Sequence, residues 1–299
     1  MLQSSSFSSP VEITTYRTTS QSYDTQQATA LVDSLLEYTQ SLIQNATHHH
    51  VIAYSGGVDS SLTAALVHRV APQARAILGL SPAVPIEQRD LAVRVAAQIG
   101  IPLQFVYTHE GNDPLYIQNA GQACFACKTH LYSTLKAVYA SVDDAVQLYN
   151  GTNADDTKDP TRVGLLAAQH FRVQSPLLFV DKQQVRLAAR HMGLLNWNFA
   201  ASPCLRSRLA LGVPATRDHL KRIEQAERFV RQQLGVDETC NVRVRLLAQN
   251  RVCIEVDEGE LLEYAHKNVI KWKPYLEEEL QFAAVQVRAF RSGSVAVVK

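Results

Sequence analysis

The fold follows from one stretch of the sequence, Val51-Ile52-Ala53-Tyr54-Ser55-Gly56-Gly57-Val58-Asp59-Ser60-Ser61. Its first four residues are apolar and predict a buried strand. The glycines allow backbone amides to approach an anion closely, and the residues after them open a helix whose N-terminus attracts negative charge. The spacing is neither that of a Walker A loop nor that of GxGxxG. The stretch therefore predicts a phosphate-binding loop, with an ordinary glycine turn as the alternative.

Short apolar runs alternate with helical patterns around this loop. The predicted strands cover residues 51–54, 76–80, 102–107, 146–149 and 171–174. The predicted helices cover residues 27–46, 60–70, 86–99, 126–140, 162–169 and 182–192. This alternation predicts an α/β fold with a doubly wound parallel sheet that helices cover on both faces.

The pattern changes after residue 212. Thr216 is suited to cap a helix that Gly235 ends. Further elements are predicted as strands at 242–247 and 252–256, a helix at 258–280 broken near Pro274, and a hairpin of strands at 285–290 and 295–298. We therefore expect a main domain over residues 26–211 and a smaller α+β domain over residues 212–299.

Composition limits the class of protein. The chain has 299 residues, 46% of them hydrophobic, and a formal net charge of +1, so a broad nucleic-acid-binding surface is not expected. Residues 1–25 are rich in Ser, Thr and Gln and predict a poorly ordered tail. No apolar run reaches the roughly 20 residues of a membrane span, and no signal peptide is apparent, so we expect a cytoplasmic protein. His48-His49-His50 is interpreted as a polar entry to a strand rather than a metal site.

Three of the five cysteines suggest chemistry. Cys124 and Cys127 have CxxC spacing at the start of a predicted helix, and Cys204 lies far along the chain. Three thiolates can hold a 4Fe-4S cluster with one iron open, whereas a closed zinc site needs four ligands. Simple burial or a redox pair are the alternatives. Cys240 and Cys253 lie on predicted strands among Val and Ile, and burial explains both.

The glycine loop resembles the SGGxDS loop of the PP-loop ATP pyrophosphatases, which bind ATP and release pyrophosphate while transferring AMP. The resemblance implies that Asp59 lies beside the phosphates and Mg²⁺. Residues 150–156 are similar to a G-T/H-N-x-D segment of the same family, although Asp155 and Asp156 also fit a solvated turn. The implied ATP site consists of Ser55, Gly56, Gly57, Val58, Asp59, Ser60, Ser61, Ser81 and Gly151.

Further segments resemble one branch of that superfamily, the ATP-dependent sacrificial sulfur transferases (LarE), which help build the nickel-pincer nucleotide of lactate racemase. The matching segments are Ser55–Ser61, Lys128 with Tyr132-Ser133, Gly193–Trp197, Asn198, Ala201–Arg208, Glu227, Val242–Arg245, Glu255 and Phe290–Gly293. In the single-cysteine form of the family, a cysteine at the position of Cys204 gives up its sulfur and becomes dehydroalanine. This chain matches a three-cysteine form instead, in which Cys124, Cys127 and Cys204 are the metal ligands of a 4Fe-4S cluster.

The resemblance implies a two-stage reaction. ATP adenylates a carboxylate of pyridinium-3,5-biscarboxylate mononucleotide, and sulfur then displaces AMP to leave a thiocarboxylate. Asp59 would position Mg²⁺, Lys128 would stabilise developing negative charge, and the three cysteines would deliver sulfur. The alternatives are a PP-loop tRNA thiolation enzyme and a non-catalytic nucleotide-binding zinc protein.

The resemblance also implies a substrate site in the second domain. Arg243, Arg245 and Arg291 would bind the phosphate of the small-molecule nucleotide substrate. Glu227 and Glu255 would orient these arginines, with surface carboxylates as the alternative. Taken alone, alternate arginines on a strand also fit a solvent-facing side of a sheet. We further expect a homo-oligomer and no partner of membrane or nucleic-acid type.

Overall fold

A computed structural model describes residues 25–43, 49–139 and 146–291 of the chain. Within these ranges it contains two separate sheets, one of four strands and one of three. The tail predicted over residues 1–25 lies outside the described residues except for its last position, and the strand predicted at 295–298 lies outside them entirely. No helix in these ranges combines the length and the apolar character needed to cross a bilayer.

The larger sheet is parallel throughout. Its strands are β1 His49–Ala53, β2 Arg75–Leu80, β3 Leu103–Tyr107 and β4 Val146–Tyr149. The spatial order is β3-β2-β1-β4, so the chain moves outward from β1 on one side and then returns to its other side. The carboxyl end of β1 therefore lies at the point where the winding reverses, which is where open α/β sheets bind ligands.

Helices pack on both faces of this sheet. Successive residues of a strand point to opposite faces, so each strand contributes apolar side chains to both layers. Ile52 packs with Ala92 on one face, whereas Val51 packs with Leu135 and Ala167 on the other. The helices of this part are α1 Thr25–Leu42, α2 Val58–Val70, α3 Ile86–Ile99, α4 Pro114–Ile117, α5 Ala123–Ala137, α6 Ala154–Lys158, α7 Gly164–His170 and α8 Lys182–His191. The predicted α/β fold with a covered parallel sheet is confirmed.

The smaller sheet follows the second pattern in the sequence. Its strands are β5 Val242–Leu247, β6 Arg251–Val256 and β7 Ala284–Ala289, and its helices are α9 Arg217–Leu234 and α10 Glu260–Lys273. β5 and β6 are antiparallel, as predicted, and β7 runs parallel to β6. Helix α10 passes into a π-helical segment at Pro274–Glu279, so the break expected near Pro274 is present.

The ends of α9 show why the local sequence sets its length. Thr216 Oγ1 accepts a hydrogen bond from the backbone nitrogen of His219 at 3.2 Å, which satisfies one of the otherwise unpaired amides of the first turn. Gly235 closes the helix with a φ of 62°, a conformation that costs glycine little. Both predicted boundaries of this helix are confirmed.

The two sheets are linked by packing. Leu209 forms a parallel bridge with Leu246 of β5, and Tyr116 and Ala126 of the first part belong to the same buried cluster as Ile223 of α9. This cluster brings α4, α5 and the second sheet together. The division of the chain at residues 211 and 212 stays a prediction.

Three local predictions need correction. The strand expected at 171–174 is reduced to one bridge between Gln174 and Tyr149. Helix α5 begins at Ala123, three residues earlier than predicted, so the CxxC pair lies in its first turns. His49 and His50 belong to β1 instead of preceding it, because β4 continues the ladder alongside them.

Candidate functional site

The glycine loop connects β1 to α2 and is closed by serine side chains. Ser60 Oγ donates to the carbonyl of Gly57 at 3.0 Å and accepts from the backbone nitrogen of Ser55 at 3.2 Å. The hydroxyl of Ser55 lies 3.0 Å from that of Ser60. Gly57 is the N-cap residue of α2, and no side chain caps this end of the helix. Its first-turn amides and its dipole are therefore suited to an anionic ligand.

Two glycines are required by close backbone contacts. Gly56 has a φ of 74°, and a Cβ there would lie 2.6 Å from the Cα of Ala92 on α3. A Cβ on Gly151, after β4, would lie 2.6 Å from the carbonyl carbon of Asp59. The loops after β1 and β4 are thus in direct contact at the carboxyl edge of the sheet.

Asp59 faces this contact. Asn153 Nδ2 donates a hydrogen bond to Asp59 Oδ1 at 2.8 Å. Burial raises the pKa of Asp59, the hydrogen bond from Asn153 opposes that effect, and the charge of Asp156 adds to it. The carboxylate is therefore fixed in position at the start of α2, on the side where the resemblance expects phosphate and Mg²⁺.

Asn196 contacts the glycine loop from a distant segment, and no individual role was predicted for it. Its side chain is fully buried, and its Nδ2 donates to the carbonyl of Gly56 at 2.8 Å and to Ser61 Oγ at 3.1 Å. On the other side, Gln88 Nε2 donates to the carbonyl of Ser55 at 2.6 Å. The glycine loop is thus held by segments far apart in the sequence.

Asp155 and Asp156 have structural roles beside the loop. Asp156 is buried, accepts from the backbone nitrogen of Asn153 at 3.4 Å and pairs with Arg162 at 2.8 Å. Asp155 accepts from the backbone nitrogen of Lys182 at 3.0 Å. The solvated-turn interpretation is therefore wrong for Asp156, whose carboxylate caps α6 from inside the fold.

Ser81 follows β2 and lines a cleft at the same edge of the sheet. The backbone nitrogen of Ala83 donates to Ser81 Oγ at 3.3 Å, and the carbonyl of Ala83 accepts from the backbone nitrogen of Leu205 at 2.8 Å. Glu110 and Tyr116 line the same cleft. The segment that carries Cys204 is thereby tied to the loop after β2.

The three candidate cysteines lie near one another, and Cys127 and Cys204 pack against the buried cluster that contains Tyr116 of this cleft. Cys124 and Cys127 lie in the first turns of α5, and Cys204 lies directly before the helical turn Leu205–Arg208. Charge on Cys204 raises the pKa of both other thiols, although burial is the larger cause in each case.

Arg206 contacts the first of these thiols. Its Nη2 lies 2.6 Å from Cys124 Sγ, and its Nη1 donates to Asn119 Oδ1 at 3.1 Å. Burial raises the pKa of Cys124, and the Arg206 guanidinium opposes this. Burial, with the charges of Cys204 and Glu110, raises the pKa of Cys127 to about 12. The two cysteines of the CxxC pair are therefore in different electrostatic surroundings.

Lys128 supplies a second cation to the cleft. The phenol of Tyr132 raises the pKa of Lys128, burial opposes this, and the three cysteines add to the increase. Its Nζ lies 5.8 Å from the ring centroid of Tyr132. Lys128 and Arg206 are thus two positive groups beside the thiols.

The three cysteines suit the predicted cluster in their chemistry but not in their arrangement. Thiolates are the ligands of iron–sulfur clusters, so the chemistry of the three cysteines suits one. In the ranges that the structure describes, however, no three His, Cys, Asp or Glu side chains are arranged so that they could hold a metal ion. A guanidinium, instead of a third sulfur, contacts Cys124. The role of the cysteines as metal ligands stays a prediction.

Arg243 and Arg245 are buried on β5, with 2% and 5% of their surface exposed, so the solvent-facing interpretation is wrong. Arg245 Nε donates to Glu255 Oε2 at 2.6 Å, and its Nη1 donates to the carbonyl of Ser207 at 2.9 Å. Arg288 reaches the other oxygen of Glu255 at 2.6 Å. Glu255 therefore orients Arg245, as predicted.

Arg243 reaches toward the cysteine segment. It donates to the carbonyls of Val242, at 2.6 Å, and Ala201, and its Nη1 lies 4.0 Å from Glu227 Oε1. Burial, together with the charge of Arg208, lowers the pKa of Arg243 to about 9. Arg291 lies just past β7 and is exposed, whereas the rest of the predicted hairpin lies outside the described residues.

Arg208 is the main residue that the sequence reasoning left without a role. It is fully buried and makes two hydrogen bonds to Glu227, at 3.1 and 2.7 Å. It also donates to the carbonyls of Pro203 and, at 3.3 Å, Cys204. The sequence signal for Arg208 is its position four residues after Cys204, within the segment 201–208 that resembles the sulfur transferase family.

Of the remaining cysteines, Cys253 lies on β6, whereas Cys240 lies just before β5 and not on the strand expected to carry it. Cys253 is fully buried on β6, which confirms the burial interpretation, whereas Cys240 is only half-buried. Burial raises the pKa of both thiols. Neither belongs to the cleft around Cys204.

Comparisons with known proteins add independent information. No family model matches the chain. An uncharacterized protein of Synechocystis is 36% identical over 217 residues, which cover 72% of this chain and 78% of that protein. An uncharacterized protein of Methanocaldococcus jannaschii is 25% identical over 230 residues, which cover 75% and 85%.

A third relative carries a functional name. The pyridinium-3,5-bisthiocarboxylic acid mononucleotide synthase of Lactiplantibacillus plantarum is 28% identical over 247 residues, which cover 81% of this chain and 87% of that protein. The alignment therefore spans most of both chains. The chain thus belongs to the same family as the Synechocystis protein, and the alignment with the named synthase supports a LarE-like assignment of that family.

Proposed function

We propose that the chain is an ATP-dependent sulfur transferase acting on pyridinium-3,5-biscarboxylate mononucleotide. The named relative is a synthase of the bisthiocarboxylic acid mononucleotide, which differs from that substrate by sulfur in place of oxygen. The observation that carries the proposal is the hydrogen bond between Ala83 and Leu205, because it joins the cysteine segment to the sheet edge on which the glycine loop lies. An anion-binding loop and a group of thiols thus share one edge.

The first chemical stage is activation of a carboxylate, since its oxygen is a poor leaving group. A carboxylate oxygen bonds to the α-phosphorus of ATP while the bond to pyrophosphate breaks. Ser55–Ser61 and Gly151 would hold the nucleotide, and Ser81 would contact its adenosine part. Mg²⁺ would neutralise phosphate charge, and Asp59, fixed by Asn153, would orient that ion.

The second stage transfers sulfur. The sulfur bonds to the acyl carbon, the bond from that carbon to the AMP oxygen breaks, and AMP leaves with the electron pair. Lys128 would stabilise the negative charge that develops on the acyl oxygen, because it lies beside the thiols and remains a cation.

Two sulfur sources are compatible with the three cysteines. Cys124, Cys127 and Cys204 would hold a 4Fe-4S cluster, which would supply exchangeable sulfide when bound. Alternatively, Cys204 gives its own sulfur, its Cβ–S bond breaks with loss of the α-proton, and dehydroalanine remains. The thiols are close enough to influence one another's pKa, which supports their action as one group.

The substrate's phosphate is assigned to the arginines of the second sheet. Arg291 is exposed next to Phe290, whose ring centroid lies 5.8 Å from the guanidinium carbon of Arg243. Arg243 and Arg245 already have buried partners, so they would bind the phosphate with Glu227 and Glu255 fixing their direction. A charged phosphate would add to these contacts through the rigid fork of each guanidinium.

The test is pyrophosphate release from purified protein mixed with ATP, Mg²⁺ and pyridinium-3,5-biscarboxylate mononucleotide under anaerobic conditions. We expect substrate-dependent release that Asp59→Ala abolishes and Asp90→Ala, an exposed carboxylate on α3, leaves intact. Release that depends on tRNA instead of the mononucleotide would identify a tRNA thiolation enzyme. Binding of ATP with zinc present and no release would identify a nucleotide-binding zinc protein.

A further inference from the structure

Two buried polar atoms near the cysteines have no hydrogen-bond partner in the described ranges. They are Glu110 Oε2 and the hydroxyl of Tyr116, and each residue is only 2% exposed. Burying a polar group without a partner costs free energy, so such groups are rare unless a ligand or water completes them. Both residues line the cleft beside Ser81. The pair therefore indicates a ligand that both donates and accepts a hydrogen bond.

The two side chains are held by a short, well-fixed segment. Asp113 caps α4 by accepting from the backbone nitrogen of Leu115 at 2.8 Å, and His130 of α5 lies 2.9 Å from its other carboxylate oxygen. The turn at Glu110–Asn112 and α4 both pack against α5. Because α5 also carries the CxxC pair, the segment fixes Glu110 and Tyr116 relative to these thiols.

Two of the cysteines lie close to this pair. Tyr116 packs in the buried cluster against which Cys127 and Cys204 lie. Burial raises the pKa of Tyr116, and the charges of Cys204, Cys127 and Glu110 add to the increase. The phenol therefore stays protonated and available as a donor close to two cysteines.

We propose that Glu110 and Tyr116 form a binding site for free hydrosulfide, which attacks the acyl carbon while AMP leaves. This inference rests on the proposed function. The sulfur would accept the hydrogen bond of the Tyr116 hydroxyl, and its S–H would donate to Glu110 Oε2. The two contacts would hold the sulfur beside Cys127 and Cys204 and direct its free lone pair toward the acyl adenylate.

The charges of the cleft suit this ligand. A bound hydrosulfide would carry a negative charge next to the carboxylate of Glu110. Lys128 on α5 and Arg206 in the turn Leu205–Arg208 would offset that negative charge. Neither Glu110 nor Tyr116 takes part in adenylation under this assignment. Their loss should therefore affect sulfur transfer and leave the first stage unchanged.

The experiment measures thiocarboxylate formation against the concentration of added ³⁴S-labelled sodium sulfide, with pyrophosphate release followed in the same samples. Each hydrogen bond to a ligand commonly contributes close to tenfold in affinity, so Tyr116→Phe and Glu110→Gln should each raise the apparent KM for sulfide roughly tenfold. Pyrophosphate release should be unchanged. Tyr107→Phe and Glu258→Gln, which alter exposed side chains, are the matched controls.

Several results would overturn the inference. An unchanged KM for sulfide in both variants would show that the pair does not bind the sulfur. Equal losses of pyrophosphate release and sulfur transfer, or a lowered thermal midpoint, would show a structural role. Transfer without dependence on added sulfide would exclude a hydrosulfide ligand. Failure of the proposed function itself would be seen separately, as a lack of substrate-dependent pyrophosphate release from the unmutated protein.

Discussion

Arg208 and Glu227 form a two-point ion pair inside the protein, with nitrogen–oxygen distances of 3.1 and 2.7 Å. Glu227 Oε2 also accepts from the backbone nitrogen of Val244 at 3.1 Å. One carboxylate thus connects α9, β5 and the segment that carries Cys204, whose carbonyl Arg208 contacts. Removing one partner of such a pair commonly costs about 3–5 kcal/mol, because the other charge stays buried.

This pair predicts a specific loss of stability in acid. Burial alone would raise the pKa of Glu227, but the charge and hydrogen bonds of Arg208, with help from Arg243, lower it to about 2. A lowered carboxyl pKa adds stability that is fully present above the unfolded-state value and is lost as the pH falls toward the folded-state value. The window is therefore pH 4.5 down to about 2. The contribution is on the order of 3 kcal/mol.

The measurement is the urea midpoint at pH 6 and pH 3 for the unmutated protein and for Glu227→Gln. We expect the variant to be less stable at pH 6 and to lose less of its remaining stability at pH 3. Glu258→Gln, an exposed carboxylate, should follow the unmutated protein. A pH dependence of Glu227→Gln equal to that of the unmutated protein would contradict the assignment.

The sequence predicted the architecture because its signals are local. Helix α3 has the predicted bounds of 86–99, and Gly100 ends it with a φ of 79°. Alternation of apolar residues likewise located β5 and β6. The short strand at 171–174 was wrong because pairing with β4 depends on tertiary contacts, which leave only Gln174 in register.

The site was predictable only where one motif contains the chemistry. The glycine loop is contiguous in sequence, so its residues could be named directly. The partners that fix it, Asn153, Asn196 and Gln88, come from three distant segments, and only the fold shows that their side chains hold the loop. Glu110 and Tyr116 were missed for the same reason, since only the fold brings them to the cysteines.

The glycine loop offers a matched pair of substitutions. Gly56→Ala places a Cβ 2.6 Å from the Cα of Ala92 and forces a positive φ on an alanine, so we expect a loss of at least about 2 kcal/mol. Gly57 has an ordinary φ of −74°, and the nearest atom to its added Cβ is 3.5 Å away. Gly57→Ala should therefore change the unfolding free energy little. Chemical denaturation measures both, and equal effects would refute the packing argument.

The arginines predict separable effects on binding and stability. Arg291→Ala should weaken binding of the mononucleotide about tenfold or more and leave ATP affinity and thermal stability unchanged, because the residue is exposed. Arg243→Ala should weaken the same binding and also lower stability, since the carbonyls of Val242 and Ala201 lose a donor and Glu227 loses a nearby buried cation. Titration calorimetry and thermal unfolding distinguish the two, with Lys271→Ala as an exposed control. Equal losses of ATP affinity would place these arginines at the glycine loop instead.

The last prediction treats Cys124, Cys127 and Cys204 as one unit. If they hold a cluster that supplies sulfide, replacing any one by Ala should remove iron, acid-labile sulfide and sulfur transfer together. Adenylation should survive in all three variants, because the glycine loop is built from other segments. Cys240→Ala, which alters a half-buried thiol just before β5, is the matched control and should retain all four properties.

A sacrificial Cys204 predicts a different pattern from the same variants. Only Cys204→Ala would then abolish transfer, because Cys124 and Cys127 would not carry the sulfur that leaves. The reacted protein would also lose the mass of H₂S and carry dehydroalanine at position 204. Mass spectrometry after one anaerobic turnover, with iron and sulfide analysis of each variant, decides between them: dehydroalanine at position 204 would refute the cluster, and an intact Cys204 with labelled sulfur in the product would refute sacrifice.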